Sequence, residues 1–367
     1  MATAVYSNVN PGALRQRISE GYLTQPMVVA AARGMDGHVL ALVTLNAEGA
    51  TLDRGEINPG VYGEGYVDRR HPHTWLHEAM AGVRNRTGPV RWALFGGKGF
   101  VPYGSDDPMV RPFVKYPVNH HHAQILERAL LTATLQWRSG SLEAARFNGD
   151  EPEGPSDWPD IARLFDSWAA RATVTPRQGL ELSASAAGVQ SPEFARGDGL
   201  DQKKRAAAVR FAAPNGRLRY WLVEVASTRE YSGARQAFSF ASALAEAEGV
   251  VGSVTLAARV ERTTRPEEER VRSFYRTIRP LLDFNILGRT RWTTLTASVS
   301  HRGWGRGPVV GRPFVEVGYH VPRATLRPTP LDPVEVFGAN HIWSLSFGVR
   351  MQAGHMRSRF GRYGLDS

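Results

Sequence analysis

The sequence predicts an all-β protein, an up-and-down antiparallel transmembrane β-barrel of about fourteen strands. Two observations predict this fold class: segments in which apolar and polar side chains alternate, and connections that are alternately short and long. Successive side chains of a strand point to opposite faces of a sheet, so each such segment has one apolar and one polar face. Short turns at one end and long loops at the other are typical of bacterial outer-membrane barrels.

The segment Glu127–Trp137 shows the alternation clearly, with Leu131 and Leu135 on one face and Thr132 and Thr134 on the other. The same pattern recurs along most of the chain and predicts strands near residues 38–47, 74–84, 89–96, 127–137, 141–148, 166–175, 179–189, 203–212, 216–226, 236–246, 250–261, 290–300, 310–320 and 341–351.

The connections between these strands fall into two classes. Short ones hold turn residues and are expected at the periplasmic end. Long ones are expected outside the cell and cover residues 48–73, 97–126, 149–165, 190–202, 227–235, 262–289 and 321–340. The predicted organisation is a periplasmic extension (1–35), a transmembrane barrel (36–352) and a C-terminal tail (353–367).

Composition excludes several classes of protein. No apolar run among the 367 residues is long enough for a membrane helix, and the absence of cysteine excludes disulfides and thiolate metal sites. The net charge of +10 comes without a long basic run, so we expect lumen and rim arginines facing anionic lipid and lipopolysaccharide rather than nucleic acid. Met1–Arg33 does not read as a secretory signal, so we expect the export signal to be removed or to lie upstream.

Alternation also assigns charged residues to the barrel interior. The predicted pore-lining residues are Arg128, Arg171, Arg210, Arg259, Glu181 and Glu261. An arginine-rich lining favours anions if the pore is open. The alternative is a set of inward salt bridges that plug or stiffen the barrel.

Two groups of histidines fall at the long-loop end. No cofactor is predicted, but these histidines are candidates for a zinc or copper site, because imidazole is the commonest protein ligand of transition metals. The candidate ligands are His71, His73, His120, His121, His122, Asp106 and Asp107. The alternative is ordinary loop histidines hydrogen-bonded to backbone. His77 shares the parity of Trp75, so it can avoid lipid only if a β-bulge intervenes.

Other candidate sites are weaker. The acidic stretch Asn148–Glu153 could bind a hard cation such as calcium, but it lacks the spacing of a dedicated calcium loop. Ser300 and His301 are adjacent in a predicted strand and point to opposite faces, so they cannot act as nucleophile and base. No enzyme is predicted, and an outer-membrane lipid hydrolase is the alternative. Trp168 and Trp343 fit an interfacial girdle, whereas Trp292 has the opposite parity.

Three motifs in succession resemble an uncharacterised group of Gram-negative outer-membrane barrel proteins, porin-like and related to barrels found near heavy-metal efflux genes. The motifs are Asp68–His73, the segment Pro117–His122 running into the strand at 127–137, and Phe147–Pro152. The resemblance extends in pattern from about Pro26 to Met351. It implies an outer-membrane location and leaves the transported solute open.

The predicted function is a porin-like channel for passive passage of small solutes, with a preference for anions. Loop 97–126, rich in proline, glycine and aromatic residues, is the one expected to fold into the lumen. The alternative is a closed barrel that binds metal ions or envelope partners at its outer mouth. The sequence leaves open whether the chain forms a homo-oligomer.

Overall fold

The computed structural model describes residues 1–12, 15–52, 55–60, 69–70, 72–105, 107–152, 154–192, 195–213, 215–268, 286–306, 308–326, 332–354 and 359–365. These residues contain twenty strands and two short α-helices. Eighteen of the strands form one antiparallel sheet, and β5 and β6 pair separately within a long loop. The fold is therefore an all-β, up-and-down barrel-type sheet.

The strands, in chain order, are β1 (Ala2–Asn10), β2 (Ile18–Thr24), β3 (Met27–Gly34), β4 (Val39–Asn46), β5 (Glu56–Ile57), β6 (Arg69–Arg70), β7 (Leu76–Thr87), β8 (Val90–Gly99), β9 (Arg128–Trp137), β10 (Gly140–Phe147), β11 (Ser167–Arg177), β12 (Leu180–Val189), β13 (Asp201–Ala212), β14 (Leu218–Ser232), β15 (Arg235–Val251), β16 (Val254–Glu268), β17 (Ile286–His301), β18 (Trp304–Arg306), β19 (Val309–Leu326) and β20 (Ile342–Ala353). The helices are α1 (His120–Ala123) and α2 (Pro333–Phe337).

Alternation places apolar side chains outward and polar ones inward. In β9, Leu131 and Leu135 are 42% and 48% exposed, whereas Thr132 and Thr134 are buried. Interior side chains are buried because a loop and the chain's C-terminal tail occupy the space that the sheet surrounds. The alternation that predicted the strands therefore also predicts correctly which side chains point outward and which point inward.

All fourteen predicted strands are present, but several extend into segments predicted as loops: β14 to Ser232, β16 to Glu268 and β19 to Leu326. The sheet also contains more strands than predicted. The additional ones are β1, β2, β3 and β18. The prediction of an N-terminal extension is wrong: β1 pairs with β20 along its length, from Ala2 opposite Met351 to Asn10 opposite Trp343. β3 carries no alternation to detect, because every side chain from Val28 to Gly34 is exposed.

Two of the additional strands, β3 and β18, continue the line of the strand before them and do not add a new neighbour to the sheet. Thr3 pairs with Thr24 of β2, and Met1 and Met27 then exchange two backbone hydrogen bonds of 2.7 Å, so β3 continues the direction of β2. Among the described residues, β2 and β3 are not paired with each other. The series of paired strands therefore ends at β2 on one side and at β3 on the other. In the same way β18 continues β17 along β19.

One predicted long loop, 227–235, is wrong. β14 and β15 continue pairing to Ser232 opposite Arg235, so only a tight turn with Gly233 at φ +58° joins them. In this hairpin, charged and hydroxyl residues interrupt the alternation of apolar and polar side chains. The sequence pattern therefore does not predict these strand ends, although their backbones pair.

The outward surface is an apolar band with aromatic residues toward both ends. Trp168 and Trp343 lie at the long-loop end and are 44% and 49% exposed, as predicted, while Trp137 and Trp304 are exposed near the short turns. Trp292 instead lies in the interior and packs against Phe337 of α2. Among the described residues, the helices are too short to cross a bilayer.

Candidate functional site

The barrel interior holds the segment 100–126, as predicted for loop 97–126. Its apolar side chains are buried, among them Phe100, Tyr103, Phe113 and Tyr116. Such a segment can be stable inside a polar lumen only if its backbone groups find partners. The sheet supplies them from carboxylates near the middle of the strands.

Three interior glutamates hold this loop. Glu316 accepts hydrogen bonds from the backbone N–H groups of Val114 and Lys115, at 2.8 and 2.9 Å. Glu261 accepts one from Val118 at 2.8 Å. Glu224 accepts one of 2.8 Å from the side-chain amide of Asn119. These hydrogen bonds fix the loop against β14, β16 and β19.

Arg111 of the loop is buried between two wall carboxylates. Its guanidinium lies 3.5 Å from Glu224 and 3.7 Å from Glu246. Glu246 also binds Arg259 at 2.8 Å, and Arg259 donates a hydrogen bond of 2.9 Å to the carbonyl of Lys115. Alternating positive and negative groups thus form one network across the interior.

The six predicted pore-lining residues all have side chains on the interior face. Four are buried, and Arg210 and Glu181 are half-buried. Their charges are paired: Arg171 with Glu143 at 2.7 Å, Arg128 with Glu151 at 3.4 Å, and Arg210 with Glu181 at 3.9 Å. The interior is therefore a set of salt bridges around a packed loop rather than a row of unpaired arginines.

Parity could have found the residues that sequence reasoning missed. Glu143, Glu224, Glu246 and Glu316 all lie on the interior side of their strands, as Glu181 and Glu261 do. Arg111 had no such signal, because it lies in a loop without periodicity.

The two histidine groups converge at the long-loop end. The ring centroids of His73 and His77 are 4.7 Å apart, and those of His73 and His120 are 6.4 Å apart. His77 turns inward because a bulge separates the pairs Thr44–Glu78 and Leu45–Leu76. The exposed Trp75 can therefore face outward while His77 is fully buried.

The imidazoles of His73 and His77 are already bound to carboxylates. Glu48 binds His73 at 2.9 Å and Arg70 at 3.1 Å, and Glu127 binds His77 at 2.5 Å. Burial alone would raise the pKa of Glu127, but the charge of His77 and the hydrogen bond to it lower that pKa to about 2. Burial also opposes ionisation of Glu48, yet Arg70 and His73 hold its pKa well below the usual range.

The remaining metal-ligand candidates have structural partners or lie outside the described residues. His121 binds Glu151 at 3.2 Å, and His122 contacts Thr228 at 3.3 Å. Asp107 accepts a hydrogen bond from the Met109 backbone and caps a short 3₁₀ helix. His71 and Asp106 lie outside the described residues. Within the described ranges, no three His, Asp or Glu side chains are arranged to hold a metal ion.

Two small polar cavities lie at this mouth. One of about 40 Å³ is lined by His73, His120, Glu127, Glu151 and Lys204 among others. A second, of about 10 Å³, lies beside His122 and Lys204. Two far wider depressions, of about 920 and 940 Å³, are on the outer wall among alanine, leucine and valine side chains. These outer depressions belong mainly to the apolar band, although residues of the network, Glu143 and Arg171 in one and Glu246 and Arg259 in the other, also contribute to their linings.

No family model matches the chain, and no curated protein matches it. Several solved structures do match the chain. The anion-selective porin of Comamonas acidovorans aligns with a TM-score of 0.54 and 9% identity, over 96% of this chain and 99% of that one. In-vitro folded OmpT of Vibrio cholerae, in its trimer form, aligns at 0.52 and 11%, over 95% and 98%. Salmonella typhi OmpF in complex with daunomycin aligns at 0.50 and 10%, over 96% of each chain. The chain therefore has the fold of an outer-membrane β-barrel.

Proposed function

We propose that this protein is a porin-like channel of the outer membrane that passes small solutes passively and favours anions. The observation that carries the proposal is the segment 100–126, which is anchored by wall carboxylates inside a porin-type barrel. Such a segment narrows the lumen, so we expect small solutes to pass and larger ones to be excluded. The neighbours of similar fold include an anion-selective porin.

Interior cations support the preference for anions. Among the described residues, Lys98 donates a hydrogen bond to the Thr74 hydroxyl at 2.5 Å, and Lys204 donates one to the His121 carbonyl at 2.8 Å. Arg350 donates to the Phe113 carbonyl at 3.2 Å. The hydrogen-bond acceptors named for these three cations are neutral oxygens, although carboxylates also lie near them, such as Glu151 and Glu230 beside Lys204. Glu261 and Glu316 use their carboxylates to hold the loop. An excess of positive potential along the lumen attracts anions and repels cations.

Liposome swelling tests this proposal. Vesicles containing the purified protein should swell faster in a small monocarboxylate than in a cation of similar size, and little in a solute too large for the narrowed lumen. Equal rates for anion and cation would contradict the preference. Rates no faster than those of protein-free vesicles would contradict the channel.

A closed barrel that binds metal ions or partners at the mouth remains the second proposal, because His73, His77 and His120 lie close together. Zinc titration of the purified protein tests it, with a variant in which His120, His121 and His122 are alanine as the comparison. Loss of binding in the variant would support the metal site, and no binding by the parent protein would contradict it. A fluorescent acyl ester added to the same preparation tests the lipid-hydrolase alternative.

A further inference from the structure

The chain's own C-terminal tail returns into the barrel interior. Beyond β20, the described residues 359–365 lie inside the sheet, where Tyr363 is 2% exposed and Phe360 is 7% exposed. An aromatic pair at the end of a chain is usually exposed or disordered unless specific contacts hold it. Here contacts come from six strands and from the interior loop.

Tyr363 joins the tail to both the wall and the loop. Its hydroxyl donates a hydrogen bond of 2.8 Å to Glu78 of β7 and accepts one of 3.0 Å from the backbone N–H of Phe100. The Thr134 hydroxyl of β9 donates one of 3.1 Å to the Tyr363 carbonyl. Phe360 packs on the Phe100 ring at 5.4 Å. The tail therefore ends against the base of the segment 100–126.

Ion pairs also hold the tail against the wall. Arg362 binds Glu143 of β10 at 2.8 Å, and Arg359 forms an ion pair with Glu181 of β12. Arg171 of β11 donates a hydrogen bond of 3.0 Å to the carbonyl of Gly361. Two tail arginines thus meet two wall carboxylates.

The tail also fits closely in shape. Gly361 and Gly364 have φ of +66° and +75°, a region that L side chains rarely adopt. A Cβ atom at Gly361 would lie 2.7 Å from Phe100 Cβ, and one at Gly364 would lie 2.2 Å from Ala93 Cβ. The tail needs glycine at both places in order to lie this close to the wall and the loop.

The position of the tail divides the lumen. β20 ends at Ala353 opposite Val309, beside the short-turn end of the barrel. From that end the tail reaches the wall formed by β7 to β12, whereas loop residues 113–118 lie against β16 and β19 on the other side. Tail and loop together fill the two sides of the interior.

We infer that residues 359–365 are a built-in plug that docks on the inner wall at Glu78, Glu143 and Glu181, and that limits passage through the channel. The wall residues Arg171 and Arg210 also pair with Glu143 and Glu181 at this site. The inference rests on the proposed channel function. The ligand of this site is a short peptide with basic and aromatic side chains, and residues 359–365 of the same chain supply it.

Single-channel recording tests the plug with three forms of the protein: the full chain, a chain ending at residue 358, and a full chain carrying R359E and R362E. The full chain should conduct weakly. Conductance of the truncated chain should rise on the order of twofold, because the side of the lumen along β7 to β12 is freed. The double variant should show the same rise, since glutamates would face Glu143 and Glu181, and it keeps the covalent chain intact.

A synthetic peptide of residues 359–367 supplies the matched control. Added to one compartment at a time, it should reduce the conductance of the truncated chain from the short-turn side only. The same peptide with R359E and R362E should have no effect. Equal conductance of all three proteins would overturn the plug while leaving the channel in place. Silence of all three would overturn the channel itself, and the plug with it.

Discussion

At the scale of single residues, neighbours across the sheet decide where a side chain points. Period-two alternation assigned Arg128, Arg171 and Arg259 to the interior correctly, because their strands are regular there. The same rule fails for His77, since one extra residue in β7 shifts the parity. A bulge of this kind is set by the paired strand and the loop above it, and the local sequence does not show it.

Lys204 should influence ion selectivity. It lies in the interior beside the mouth cavities, while its neighbour Lys203 is exposed and lies over the Tyr231 ring. Lys204→Glu should lower the anion-to-cation permeability ratio by about fivefold, since reversing a charge near the path changes the energy difference between an anion and a cation by roughly 1 kcal/mol. Reversal potentials in a salt gradient measure this ratio. Lys203→Glu is the matched control, and an equal shift in both variants would contradict an interior role for Lys204.

Gly104 should be essential to the packing of the interior loop. Its φ is +73°, and a Cβ atom there would lie 1.6 Å from the carbonyl oxygen of Ala123. Gly104→Ala should therefore destabilise the folded form by about 1–3 kcal/mol. The temperature at which the heat-modifiable gel band is lost measures this change. Gly34→Ala, where a Cβ would meet nothing within 4 Å, should leave that temperature unaltered.

At the scale of elements, the sequence predicted fourteen of the eighteen strands of the main sheet but not how the irregular segments pack. That loop 97–126 would enter the lumen followed from its composition, yet its anchors are carboxylates on β14, β16 and β19, more than 90 residues away in the chain. Such contacts depend on the register of many strand pairs. The tail contacts at Glu78 and Glu143 were unpredictable for the same reason.

Glu316 should keep the loop closed. Glu316→Ala removes the acceptor of two buried backbone N–H groups, and each unsatisfied group costs about 1–3 kcal/mol. Since the chain has no cysteine, Val114→Cys gives a clean probe of loop exposure. Val114 is 2% exposed, so the probe should resist a maleimide in the parent protein and react once Glu316 is alanine. Glu335→Ala, at an exposed position of α2, is the control. Equal protection in all backgrounds would rule out the anchor.

At the scale of the whole molecule, the N-terminal residues form part of the wall. β1 pairs with both β2 and β20, so it joins the two ends of the chain. A protein lacking residues 2–34 should fail to form the compact heat-modifiable species, because β20 and β4 would each lose a partner. If those residues were only a periplasmic extension, the deletion would leave the compact band unchanged, and gel migration distinguishes the two outcomes.

The central claim is that this barrel is a narrow channel that favours anions. Planar-bilayer recording of the purified full chain in a salt gradient tests it most directly. We predict discrete conductance steps with a reversal potential on the anion-selective side. Repeated recordings from verified folded protein, and from the chain ending at residue 358, that show no steps would contradict the channel. Steps with a cation-selective reversal potential would contradict its preference for anions.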